Sequence, residues 1–156
     1  MSPINAAEDL LWYQCAKHEL GVREQPGRSH NARILEYHQA TRLRATEDEV
    51  PWCAAFVCWC LEKAGVASTK SASARSYLKW GVPLASPVVG AVCILARGDA
   101  SAGQGHVAFF AGYTPNGAIK LLGGNQQNRV CVQTYPADRL LAVRWPDGVS
   151  VPRVGP

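Results

Sequence analysis

Two spacings of apolar residues divide the chain near residue 87. Upstream of it they recur at helical intervals. Residues 5–20 (NAAEDLLWYQCAKHEL) read as a helix with Asn5 as cap, Glu8 completing a capping box and Gly21 at the end. Its expected apolar face is Leu10, Leu11, Cys15 and Leu20. Pro26-Gly27 marks a turn, and residues 31–39 predict a second short helix around Ile34, Leu35 and Tyr37. The segment TEDEVPWCAAFVCWCLEKAGV is apolar on nearly every side, the mark of a buried central helix. Asp48, Glu49 and Pro51 suit its start and Gly65 its end. A further helix is expected near SASARSYLKWG, capped by Ser71 or Ser73 and stopped by Gly81.

Downstream the pattern changes to short runs rich in Val, Ile, Phe and Tyr: VVGAVCIL, HVAFFAGYT, AIKLLGG, RVCVQTY and LLAVRWP. Glycine-containing turns such as GDASAGQG and TPNG separate the early ones. The prediction is an α+β fold, with N-terminal helices packed on a C-terminal antiparallel sheet. One domain is expected over residues 1–146, and DGVSVPRVGP reads as a poorly structured tail over 147–156.

Composition narrows the classes. At 156 residues, 47% of them hydrophobic, the chain can bury a core without help from a metal or disulfide. The net charge of +4 fits association with polyanions, including the phosphate polymers of cell envelopes. The basic residues are dispersed, with no block interleaved with aromatics, so nucleic acid is not the expected partner. Six cysteines might suggest disulfides, but Cys58, Cys60, Cys93 and Cys131 lie within apolar runs and read as small core residues. No apolar run is long enough to span a membrane, and the first residues show no secretory signal. The chain is therefore expected to be made in the bacterial cytoplasm, without membrane insertion.

Cys53 differs from the other cysteines. It lies in the first turn of the central helix, two residues after Pro51, where unpaired amides and the helix dipole favour a thiolate. His106, at the start of an apolar strand, has the chemistry to take the thiol proton and return it to a leaving amine. His18, His30 and His38 read as surface residues. Asn125, after two glycines that would allow close backbone approach, is placed to orient an imidazole, with Gln126 and Asn128 as competing choices. The Cys53 amide is available as an oxyanion donor. Glu47, Asp48 and Glu49 would either line the cleft or cap the helix. Trp52, Tyr77, Trp80 and Tyr113 are candidate contacts for glycan or peptide.

Several stretches carry a resemblance: ELGVREQPG (19–27) with Asn31, VPWCAAFV (50–57), GHVAF (105–109), LGGNQ (122–126) and RWP (144–146). With the order helix-borne Cys, strand-borne His, then Asn on the next strand, they resemble the papain-like superfamily. More narrowly, they are similar to its cell-wall branch, the NlpC/P60 and CHAP hydrolases, in a small phage-associated subgroup. The resemblance covers roughly residues 7–146. It implies cleavage of a peptidoglycan amide by a stem-peptide endopeptidase or an N-acetylmuramoyl-L-alanine amidase, with Cys53 as nucleophile, His106 as base and Asn125 as orienter. It further implies a monomer acting on peptidoglycan in the periplasm or wall. The chain would get there as an endolysin released through a holin pore, or as an injected effector with an immunity protein as partner. No cofactor is implied for this chain. Some CHAP relatives hold calcium, and Glu19, Glu24, Asp48 and Glu49 offer oxygen ligands, although no calcium-loop spacing is present. Cys58 and Cys60 lack zinc spacing. The rival readings are a Cys-His acyltransferase or transglutaminase, and a non-catalytic module that binds wall peptide.

Overall fold

The computed structural model describes residues 10–26, 30–96 and 105–152. Three α-helices come first: α1 (Leu11–His18), α2 (Ala32–His38) and α3 (Cys53–Lys63). Asn31 caps α2, its side chain accepting from the Arg33 N–H at 2.8 Å. The expected caps of α1, Asn5 and Glu8, lie outside the described residues, as do Gly27 and all of the GDASAGQG loop before Gly105. The buried face of α1 is only partly the one expected, for of the four residues named Leu10 alone is fully in the core. Trp12, Tyr13 and Ala16 face inward, while Leu11 and Leu20 are exposed and Cys15 is half-buried. Two aromatic rings bury more surface than two leucines, and Trp12 also finds a partner for its indole N–H in the Gly90 carbonyl at 2.8 Å. Its ring meets Trp145 edge-on, with centroids 5.3 Å apart.

In α3 every residue from Cys53 to Leu61 is buried, as its all-round apolar sequence requires. The segment after it forms a 3-10 helix (Ala74–Lys79) rather than an α-helix. Ser73 holds the cap position without a side-chain hydrogen bond, and the short element is pinned by the Tyr77 hydroxyl, 3.1 Å from Cys58 Sγ.

The strands are β1 (Val82–Pro83), β2 (Val92–Ala96), β3 (Gly105–Tyr113), β4 (Ile119–Gln126), β5 (Arg129–Tyr135) and β6 (Leu140–Trp145). They form one sheet in the order β1-β6-β2-β3-β4-β5, and every pairing is antiparallel. Only the two-residue β1 was absent from the sequence reading; it ends in Pro83 at the sheet edge, where a missing N–H costs nothing. The α+β prediction therefore holds, with α3 packed on β3 and β4. Phe56 of α3 and Phe109 of β3 meet edge-on with centroids 6.5 Å apart. Past β6 the chain turns back, and the Trp145 indole N–H donates to the Val149 carbonyl at 2.8 Å, so the region read as a tail begins with a fixed turn.

His38 corrects another expectation, since it is only 1% exposed. Neither ring nitrogen makes a hydrogen bond of good geometry. Burial lowers its pKa, and the Glu47 backbone and the Asp48 charge offset only part of that. The unfolded chain then binds the proton more readily, so His38 costs stability as pH falls below the ordinary histidine value of 6.5. The urea midpoint is expected to drop between pH 7 and pH 5, and to drop less in His38→Leu. An identical drop in the variant would assign the effect to another group.

Candidate active site

The start of α3 is built around Trp52. This residue holds the cap position with a backbone that is neither helical nor extended (φ −129°, ψ 16°), and Cys53, 6% exposed, is the first helical residue. Trp52 is fully buried, stacked on Tyr37 with centroids 5.8 Å apart, and its indole N–H donates to Glu24 Oε2 at 3.2 Å. It positions the helix start and is not an exposed glycan contact. Tyr77 is likewise core, Trp80 donates to the Ala67 carbonyl, and Tyr113 stands exposed at the end of β3 remote from His106.

His106 is the second residue of β3, 2% exposed and paired with Leu95 of β2. Its Nε2 lies 2.9 Å from Oε1 of Gln126, the last residue of β4. The Gln126 amide is held from all sides. Its Nε2 donates to the carbonyls of Leu121 (3.2 Å) and Cys131 (2.7 Å), and its Oε1 also accepts from the Tyr135 hydroxyl (3.0 Å). With both amide hydrogens directed at carbonyls, the oxygen must face the imidazole, and an oxygen can only accept. His106 Nε2 therefore carries the hydrogen, and Nδ1 is left as the nitrogen that takes up or gives a proton. The Tyr135 ring packs beside the imidazole at 5.6 Å.

The hydrogen bond that sequence reasoning gave to Asn125 is thus made by Gln126. The reason is a bulge. Gly123 pairs with Cys131 and Gln126 with Arg129, so Gly124 and Asn125 together oppose Val130 alone. Asn125 is half-buried and adopts a left-handed backbone (φ 56°), a conformation asparagine tolerates better than most residues. The strand then closes through Gln127 and Asn128, both at positive φ (55° and 60°), as a two-residue hairpin of the primed type demands. Asn128, the other competing choice, therefore lies in the turn. A two-residue QN turn counted back from the RVCVQTY strand was the signal available in the sequence.

The glycines before the bulge permit close approach, as expected. A Cβ on Gly124 would lie 2.7 Å from the Trp52 ring and 2.8 Å from Phe56 Cβ, and one on Gly123 would lie 2.6 Å from Ala108 Cβ. Cys53 thus opens a helix packed on the two strands that carry His106 and Gln126. Residues 21–24 run beside the hairpin: the Val130 N–H donates to Val22, and the Glu24 N–H to Asn128. A cavity of about 430 Å³ opens there, lined by Glu24, Gln25, Pro26, Glu49 and Asn128. Burial raises the Glu24 carboxyl pKa, and the charges of Asp48 and Glu49 add to this. Asp48 neither caps α3 nor lines the cleft. It is fully buried and accepts from the Gln25 and Asn31 N–H groups, both at 2.8 Å. Burial opposes its charge, but these bonds and His30 keep its pKa below the ordinary value.

Of the carboxylates considered for calcium, Asp48 and Glu19 are committed elsewhere, while Glu24 and Glu49 border the cavity. Glu19 is held by Tyr37 at 2.7 Å and Arg33 at 3.1 Å. Among the described residues no three of His, Cys, Asp or Glu gather as a metal set, and they do not fit a calcium site.

Fold and site together define a papain-like cysteine hydrolase domain. The family model of the CHAP domain matches residues 45–125, just over half of the chain and the part holding Cys53, His106 and the glycine bulge. The chain belongs to the CHAP family, whose members are in general cysteine amidases and peptidases of peptidoglycan. No curated protein matches the chain.

If Gln126 orients His106, Gln126→Ala should lower kcat by roughly 10- to 100-fold, part of the 10²–10⁴ that general acid–base catalysis supplies. KM should change little. A KM effect alone would assign Gln126 to substrate binding instead.

Proposed function

We propose that the chain hydrolyses an amide bond in the peptide part of peptidoglycan, with Cys53 as nucleophile, His106 as general base and acid, and Gln126 in the orienting role. The observation that carries this reading is the hydrogen bond from His106 to a Gln126 amide that cannot turn. A histidine held in one tautomer, on a strand packed against the helix that Cys53 opens, is suited to repeated proton transfer.

His106 Nδ1 takes the Cys53 proton, and the thiolate attacks the amide carbonyl carbon. The oxyanion forms beside the backbone amides of the first turn of α3, that of Cys53 among them. As the carbon–nitrogen bond breaks, His106 returns its proton to the departing amine and a thioester to Cys53 remains. Water, deprotonated by His106, attacks the thioester and releases the carboxylate and the free thiol. Glu24 and Glu49 give the adjoining groove a negative potential, which suits a substrate bearing an amine.

The test is mass spectrometry of peptidoglycan incubated with the wild-type protein and with Cys53→Ala. New amine-terminated fragments from the wild type alone would support the proposal. A freed lactyl group would identify the bond to muramic acid, and a new amine within the stem an endopeptidase. Folded wild-type protein that releases nothing, from several peptidoglycan types, would favour the binding-module reading.

A further inference from the structure

The end of α3 remote from Cys53 borders a second cavity, of about 310 Å³, whose wall carries Arg42, Arg44, Lys70 and Glu62. Backbone bonds draw two loops together to form it. The Arg42 N–H donates to the Lys70 carbonyl at 2.8 Å, the Lys70 N–H to Ser68 Oγ at 3.1 Å and the Arg44 N–H to Thr41 Oγ1 at 3.4 Å.

Among the described residues none of the three cations forms an ion pair. Glu62, the carboxylate in the same wall, accepts from the Ser68 N–H at 2.8 Å. Arg44 and Lys70 both adopt left-handed backbone conformations, with φ of 49° and 55°. Such conformations are unfavourable for residues with long side chains and tend to be kept where a site needs them. Three cations and one carboxylate leave the pocket wall with net positive charge, which a bound anion offsets.

No aromatic residue lines the pocket, so a nucleic-acid base would find no surface to stack on. Gln39 and the Glu62 carboxylate instead offer partners for hydroxyl groups. We propose that this pocket binds a phosphodiester group of an anionic polyol polymer of the cell wall, holding the domain on its substrate at the end of α3 away from the nucleophile. The choice of a wall polymer rests on the hydrolase reading above.

Poly(glycerol phosphate) titrated into the ¹⁵N-labelled full chain tests this. Saturable amide shifts confined to residues 39–44, 62 and 68–70 are expected, with affinity reduced about tenfold or more between 50 and 200 mM salt. Arg42→Gln/Lys70→Gln should weaken binding by a similar factor and leave hydrolysis of polymer-free peptidoglycan unchanged. Three results would overturn the proposal: no saturable shift, shifts spread over the whole surface, or a double variant that binds as the wild type does. Tighter binding of a DNA duplex at the same residues would overturn the assignment to a wall polymer. Because poly(glycerol phosphate) contains no peptide amide, its binding is measured independently of whether Cys53 cuts the wall.

Discussion

Cys53→Ala is expected to lower amide hydrolysis by roughly a thousandfold or more, the scale on which loss of a covalent nucleophile acts. The substitution removes one buried sulfur, so the fold should survive with only a small change in melting temperature. The other thiols are disfavoured or engaged: burial and the Glu19 charge raise the Cys15 pKa, and Cys131 Sγ donates to the Gln126 carbonyl at 3.4 Å. Burial pushes Cys93 up to about 12 and Cys60 well above its ordinary value, so both are protonated near neutral pH. Cys58 is engaged with the Tyr77 hydroxyl at 3.1 Å. Cys53 instead opens α3, where the helix dipole favours a thiolate. Iodoacetamide at neutral pH should therefore label Cys53 first, with activity lost in step with that label. Full activity in Cys53→Ala, or after complete Cys53 labelling, would end the nucleophile assignment.

The second large effect is expected at Gly124. A side chain there meets the six-membered part of the Trp52 indole at 2.7 Å and the Cβ of Phe56 at 2.8 Å. Neither neighbour can swing aside, because Trp52 is fully buried against Tyr37 and Phe56 Cβ is fixed to the helix. Gly124→Val should cost about 3 kcal/mol or more, at the upper end of overpacking effects. That corresponds to a fall of about 6–12 °C in melting temperature for a chain of this length. Hydrolysis below the new melting temperature should fall as well, because the displaced Trp52 directly precedes Cys53. A variant with wild-type melting and activity would show that the strand and helix do not meet as tightly as described.

The parts of the fold that depend on local periodicity were readable in the sequence. RVCVQTY, rich in β-branched and aromatic residues, is β5 from Arg129 to Tyr135. The helix rich in buried cysteine and alanine ends near Gly65, whose positive φ of 78° follows the last turn. What escaped depends on the third dimension. Leu11 and Leu20 were ranked by hydropathy, whereas the face of α1 is chosen by which side chains meet Gly90 and Trp145. His38 is polar by composition and buried by packing. Of Asn125, Gln126 and Asn128 it is Gln126 that meets His106, because a bulge adds a residue that period-two counting does not anticipate. Cys53 and His106 sit at element starts, where local signals are strongest.

The strand order carries a consequence for how the protein is made. β6 is last in the sequence yet lies inside the sheet, between β1 and β2, and is the only strand β1 pairs with. A ribosome adding roughly 5–20 residues per second needs roughly 5–20 s to go from Cys53 to Trp145. Throughout that interval the nucleophile exists but the sheet beneath its helix is incomplete. The nascent chain therefore cannot complete this sheet gradually, and any activity that depends on it should begin only once β6 has emerged.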